Sequence, residues 1–220
     1  MTTIITIDGP AGSGKSTVAF LLAQNLQATY LDTGAMYRAI TLACLRAEID
    51  MDNAAAMLAI AENCQIDFEF HNDTNNVFLN GHDVTSEIRT AEVTAASAKV
   101  AGNDEIRRFL VGQQQLYAKD TAMLVTEGRD QGTLVFPDAQ FKFYLDASAQ
   151  CRAMRRYQQQ KNKELSYEEI LDAQLQRDNR DANRKLGALK PAEDSRVIDT
   201  TEMSIGQVVQ KLISIIQNDR

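Results

Sequence analysis

A chain of 220 residues, 44% apolar and 24% charged, can bury one sizeable core and has the ordinary balance of a soluble globular protein. A net charge of -7 argues against a nucleic-acid polymer as partner, because phosphate backbones are held by surplus Lys and Arg. The first residues enter a strand without a basic leader, and no run of about eighteen apolar residues occurs, so a soluble, cytoplasmic protein that meets no membrane is expected.

In chain order, the apolar run Ile4 to Asp8 predicts a strand, and Val18 to Ala23 the body of a helix. Between them lies Gly9-Pro10-Ala11-Gly12-Ser13-Gly14-Lys15-Ser16-Thr17, a match to G-x-x-x-x-G-K-S/T in the required strand-then-helix context. Ala28 to Leu31 reads as a second strand ending at Asp32, followed by helices over Ala35 to Leu45 and Asn53 to Glu62. From Ile66 to Arg89 the pattern alternates around turn residues His71 to Asn76 and again at Asn80-Gly81, which predicts a small β insert. Phe68, Phe70 and Phe78 are expected in its core, and His71 and His82 at its surface. Two helices follow from Ala91 to about Ala118, the second carrying Ile106, Phe109, Leu110 and Leu116. Strands are then predicted at Ala122 to Val125 and Phe141 to Leu145, charged helices at Gln150 to Gln160 and Tyr167 to Arg184, and a last strand at Arg196 to Ile198. The C-terminal helix has Val208, Val209, Leu212, Ile213 and Ile216 on one side. Short apolar strands alternating with helices predict an α/β fold with a mainly parallel sheet and helices on both faces.

The glycines let the backbone wrap a polyphosphate with its N–H groups inward, and the helix N-terminus adds a favourable dipole. Lys15 then reaches the β/γ-phosphates of ATP or GTP, and the Ser16 hydroxyl ligates Mg²⁺. The bland alternative is a chance glycine-rich turn. Ligands of such sheets sit at the carboxyl ends of the strands, which selects Asp32-Thr33-Gly34 and Glu127 to Asp130 beside the loop. Arg38 and Arg129 lie just past strand ends. Arg155, Arg156, Arg177, Arg180 and Arg184 crowd the charged helices, where the spacing predicts Arg177, Arg180, Asp181 and Arg184 on one helical face. A solvated face of ion pairs explains that pattern in isolation; beside a P-loop, a closing lid that neutralises a transferring phosphoryl group explains it better. Asp32 reads as a helix cap or as a contact to the phosphate-site lysine or a water. Cys44, Cys64 and Cys151, odd in number and without C-x-x-C spacing, read as reduced, buried thiols.

These residues, with Leu31 to Arg38, Asn80 to Thr85, Ile88-Arg89, Glu127 to Asp130, Val135 to Ala139 and Leu189 to Ala192, resemble the bacterial cytidylate kinases along the whole chain. The resemblance implies a single P-loop kinase domain over 1–220, with a five-stranded parallel core sheet. It also implies a monophosphate-binding region at about 33–118, holding the β insert at about 66–89, and a lid at about 152–184. It implies transfer of the γ-phosphoryl of ATP, with Mg²⁺, to CMP or dCMP. By motif match, Thr33, Arg107 and Asp130 face cytosine, Arg38, Arg129 and Arg184 the acceptor phosphate, and Arg177 with Asp181 the sugar. Lys15, Arg129, Arg156 and Arg184 carry the catalytic charge, with Arg156 approaching the phosphates from the lid. The family's sugar-contacting serine falls on Ala98, with Ser97 one place earlier; Asp104, Gln131 and Ala188 also depart from the pattern.

The attacking phosphate oxygen is already anionic, so alignment and charge neutralisation are what the protein must supply. Two other readings stand beside this one: a kinase of the same fold for another acceptor such as UMP, and an ATP-binding regulator without transfer activity. The arginine set favours an enzyme, because a pure ATP binder has no use for a second anion site. Nothing in the apolar patterning demands a partner subunit, so a monomer is expected.

Overall fold

The structure, a computed structural model, describes residues 2–71, 74–160 and 164–219. The expected turn residues Asn72 and Asp73, positions 161–163 of the expected lid, and the side chain of His71 lie outside the described residues. The elements run β1 (Thr3–Asp8), α1 (Lys15–Leu26), β2 (Thr29–Asp32), α2 (Thr33–Arg46), α3 (Ala54–Glu62), β3 (Ile66–His71), β4 (Thr74–Leu79), β5 (His82–Asp83), α4 (Ala91–Gly102), α5 (Asp104–Lys119), β6 (Met123–Gly128), β7 (Phe141–Asp146), α6 (Ala149–Gln159), α7 (Tyr167–Ala182), β8 (Arg196–Asp199) and α8 (Ile205–Asn218). The backbone divides into two compact units, one of Met1–Tyr30 with Ala122–Arg220 and one of Leu31–Thr121.

The first unit is built on a five-stranded parallel sheet with strand order β2-β6-β1-β7-β8. Its central strands read as near-continuous apolar runs because they are buried on both faces: Ile5, Ile7, Leu124, Val125, Phe143 and Leu145 are all almost wholly inaccessible. The central strand β1 pairs with β6 on one side and β7 on the other, and Asp8 stands opposite Gly128 in the register. Two chain segments more than a hundred residues apart therefore end side by side, at the carboxyl edge where such sheets hold ligands. Helix α1 packs Val18, Ala19, Leu22 and Ala23 against the sheet. α8 buries Val208, Val209, Leu212 and Ile216, a 3.6-period stripe started by the Ser204/Gln207 capping box. The Ser166/Glu169 capping box likewise starts α7.

The second unit packs α2 to α5 with the antiparallel sheet β3-β4-β5. Asn80 (φ 51°) and Gly81 (φ 78°) are both left-handed, the geometry that makes Asn-Gly a tight hairpin turn between β4 and β5. Asn103 divides α4 from α5 and caps the latter, its Oδ1 accepting from Glu105 N and Ile106 N.

Three expectations fall differently. Phe78 is only half-buried; Val77 and Leu79 fill the core instead, with Phe68 packed against it, because the period of two puts Phe78 on the opposite face, paired with Asp67. Leu116, expected in the α5 stripe, is 52% exposed. Arg184 lies beyond α7, which stops at Ala182, so it does not share a helical face with Arg177. Among the described residues no helix is long and apolar enough to cross a membrane.

Candidate active site

The loop after β1 needs its glycines for identifiable reasons. A Cβ on Gly9 (φ 150°) would lie 2.1 Å from the Leu145 carbonyl oxygen on β7. Gly12 (φ 81°) passes so close to α6 and α7 that a Cβ would meet Gln174 Nε2 at 3.0 Å and the Arg152 Cβ at 3.2 Å. Gly14, also left-handed, precedes α1 without a side-chain cap, so the first-turn N–H groups are offered to an anion.

Lys15 is buried, its Nζ donating to the Pro10 carbonyl at 3.3 Å and lying 3.9 Å from Glu127 Oε2. Burial and then the nearby Arg129 guanidinium pull its amine down to about 7, against the opposing pull of Glu127. A lysine held this way gains most from an incoming polyphosphate, which supplies the missing negative charge. Ser16 Oγ donates to Glu127 Oε1 at 2.8 Å, and Thr17 is exposed. Among the described residues no group of three or more His, Cys, Asp or Glu gathers to hold a metal.

A second cationic cluster belongs to the same unit. Arg129, just past β6, donates from Nε to Asp181 Oδ2 at 2.9 Å. Arg184 pairs with the other oxygen of that carboxylate, and Arg177 lies 3.9 Å from Oδ2. Burial would raise the Asp181 carboxyl, but Arg129, Arg184 and Arg177 outweigh it and hold it below the ordinary range. Asp181, rather than a shared helical face, gathers Arg129, Arg177 and Arg184. Arg180 is exposed. Asp130 is buried beside Arg129, and Arg156 is exposed on α6.

In the second unit, Asp32 caps α2, its Oδ1 accepting from Ala35 N at 2.9 Å, and lies 3.5 Å from Arg89, so the cap alternative holds. Thr33 is buried at the first position of α2. Arg38 donates to the Ile88 carbonyl at 3.1 Å and to Thr94 Oγ1 at 2.8 Å. Arg107 is a wholly buried cation on α5, donating to the Ala101 carbonyl at 3.1 Å, with its guanidinium 5.3 Å from the Tyr37 ring centroid. Such burial of an arginine demands oriented partners, and Tyr37 supplies one. Ser97 is half-buried and donates to the Thr94 carbonyl, while Ala98 is exposed.

In the first unit the sequence reading placed Glu127 beside the loop without assigning its contacts, and it missed the roles of Asp8 and Arg152. Glu127 holds Ser16 and sits near Lys15; the signal was a carboxylate at the end of a strand beside the P-loop strand. Asp8, directly before Gly9, accepts from Gln131 N at 2.9 Å and Gly132 N at 2.8 Å. Burial pushes the Asp8 carboxyl up to about 7 against those hydrogen bonds. Arg152 donates to the carbonyls of Ala147 (3.0 Å) and Ala11 (2.9 Å) and pairs with Asp178 at 2.7 Å, tying α6 and α7 to the P-loop.

The family model described as cytidylate kinase matches residues 5–218. The chain belongs to the cytidylate kinase family. It is 43% identical over 216 residues to the cytidylate kinase of Pasteurella multocida strain Pm70, covering 97% of this chain and 95% of that protein. It is also 43% identical over 214 residues to that of Bacillus cereus strain ATCC 10987 / NRS 248, covering 96% and 95%. Among solved structures, a gluconokinase from Sinorhizobium meliloti 1021 superposes with a TM-score of 0.51 at 12% identity, covering 97% of this chain and 90% of that one, a likeness of fold alone. As a cytidylate kinase family member the chain is an enzyme, a nucleoside monophosphate kinase with ATP as phosphoryl donor and small nucleotides as substrates.

Proposed function

We propose that the enzyme transfers the γ-phosphoryl of ATP to CMP or dCMP, giving ADP and CDP or dCDP. The observation that carries this is the arginine cluster on Asp181, whose Arg129 and Arg177 act electrostatically on the P-loop lysine. Charge of that density beside a P-loop suits a second phosphate, and an ATP-binding regulator has no need of it.

In this reading the amides of Gly9 to Thr17 and Lys15 hold the donor phosphates. Arg129 and Arg184 turn part of their donor capacity from Asp181 to the acceptor phosphate, and Arg38 adds a third guanidinium. Arg177 and Asp181 contact the sugar, and Thr33, Arg107 and Asp130 read cytosine. Arg156, exposed on α6, is free of the compact core and suits a lid group that approaches the transferring phosphoryl. Ser16 Oγ and nucleotide oxygens would hold Mg²⁺, with Glu127 fixing the hydroxyl, and the ion would supply neutralising charge to the phosphates. The acceptor oxygen is anionic without a base, so these residues align, neutralise and exclude water. The enzyme acts as a cytoplasmic monomer.

Cytosine presents an amine where uracil presents a carbonyl, so a carboxylate at Asp130 accepts from the first and opposes the second. ADP release measured with CMP, dCMP, UMP, AMP and GMP tests the reading. CMP and dCMP are expected as the best acceptors; UMP as the best acceptor overturns it. CMP alone should also raise the melting temperature, as a ligand of the native state must.

A further inference from the structure

We propose that Asp8 is a positioning residue of the acceptor site, holding the turn that carries Arg129 and Asp130 in place against the P-loop strand. Asp8 is the last residue of β1 and the residue before Gly9, and its register partner Gly128 is the residue before Arg129. Its two carboxylate oxygens are each committed to one backbone amide: Oδ1 to Gln131 N at 2.9 Å and Oδ2 to Gly132 N at 2.8 Å. Those amides open a short π-helical turn, Gln131–Val135, a geometry that recurs at functional sites. A charged acceptor bonded to two amides gives a stronger and more directional tie than a neutral one.

The turn is fastened at a second point. Thr126 Oγ1 donates to the Gln131 side-chain Oε1 at 2.9 Å, with both residues buried. Gly132 is pressed so close to β1 that a Cβ there would lie 3.1 Å from Thr6 Oγ1 and 3.5 Å from Asp8 Oδ2. Residues 131 and 132 are thus anchored to the sheet from below, and the two residues before them project the guanidinium of Arg129 and the carboxylate of Asp130. No part of Asp8 needs to touch either nucleotide. Its role is geometric, and a displacement of about 1 Å at a reacting group costs about a hundredfold in rate.

The inference rests on the proposed reading of Arg129 and Asp130 as acceptor-binding residues. In Asp8→Asn one carboxylate oxygen becomes an amide nitrogen, a donor set against a backbone donor, at nearly unchanged volume. Steady-state kinetics of the wild type and of Asp8→Asn, with each substrate varied, should show the KM for CMP rising about tenfold and kcat falling, at an unchanged KM for ATP. Gly132→Ala, whose Cβ would crowd Thr6 Oγ1 at 3.1 Å and push the turn away from β1, should show the same split and provides the test if Asp8→Asn fails to fold. Unchanged constants in the folded variants, or a KM for ATP that rises as much as that for CMP, overturn the proposal, the latter because Asp8 would then act on the P-loop. Wild-type turnover of CMP tests the underlying reading separately. If another monophosphate proves to be the acceptor, the same comparison is made with that acceptor and decides the role of Asp8 by the same criterion.

Discussion

Arg129 Nε and Asp181 Oδ2 meet at 2.9 Å across 52 residues of sequence, joining the loop after β6 to α7. Asp181 pairs with Arg129, Arg177 and Arg184. Removing its charge leaves three mutually repelling guanidinium groups. Asp181→Asn should lower unfolding free energy by about 2 kcal/mol, less than for a fully buried ion pair because the arginines are partly exposed. Urea unfolding measures this, and an unchanged midpoint would show that solvent already screens the cluster.

Lys15 is a buried amine whose partners within the chain include the Pro10 carbonyl at 3.3 Å and a Glu127 carboxylate oxygen at 3.9 Å. It contributes little to folding and much to the transferring phosphates. Lys15→Ala is expected to lower kcat by about a thousandfold while leaving the thermal midpoint level or slightly raised. A variant with a near-normal rate would remove Lys15 from the reaction.

The raised carboxyl of Asp8 has a consequence for stability. In the unfolded chain the group titrates near 3.8, and in the folded protein near 7. As pH rises between these values the unfolded state releases a proton that the folded state keeps, so the contribution present below about pH 4 is lost as pH reaches about 7. Relative to Asp8→Asn, the wild type should lose about 2 kcal/mol of unfolding free energy between pH 5 and pH 7. The groups facing Asp8 are Asp130, which raises its carboxyl, and Arg129, which lowers it, together with Tyr144, whose hydroxyl it helps push up. Parallel pH profiles for the two proteins would refute the assignment.

Arg152 ties the carbonyls of Ala11 and Ala147 to Asp178 from a buried position. Arg152→Met keeps the stem and removes the charge, leaving Asp178 without its ion-pair partner. A loss of about 3 kcal/mol is expected in denaturant unfolding, with weaker ATP binding in calorimetry because the P-loop carbonyl is released. Stability at the wild-type level would show that the ties are replaceable by water.

Several features were legible because they are local. The P-loop and the Asn80-Gly81 turn each depend on residues within a few positions of one another, and the structure shows each where the pattern put it. The fold class was legible from short apolar strands separated by helices, and the family from motifs spread along the chain. Thr33, Arg38 and Arg107 were named from those motifs, but the burial of Arg107 over Tyr37 carries no periodic signal.

What the sequence by itself determined was the phosphate-binding loop and the presence of a surplus of arginines to use with it, since backbone conformation and charge are written in residue type. What only the tertiary structure decided was which groups meet. Asp8 reaches Gln131 across 123 residues, and Ser16 reaches Glu127 across 111. Both contacts exist because β6 enters the sheet next to β1, and strand order is set by packing of the whole core, where no local pattern can announce it.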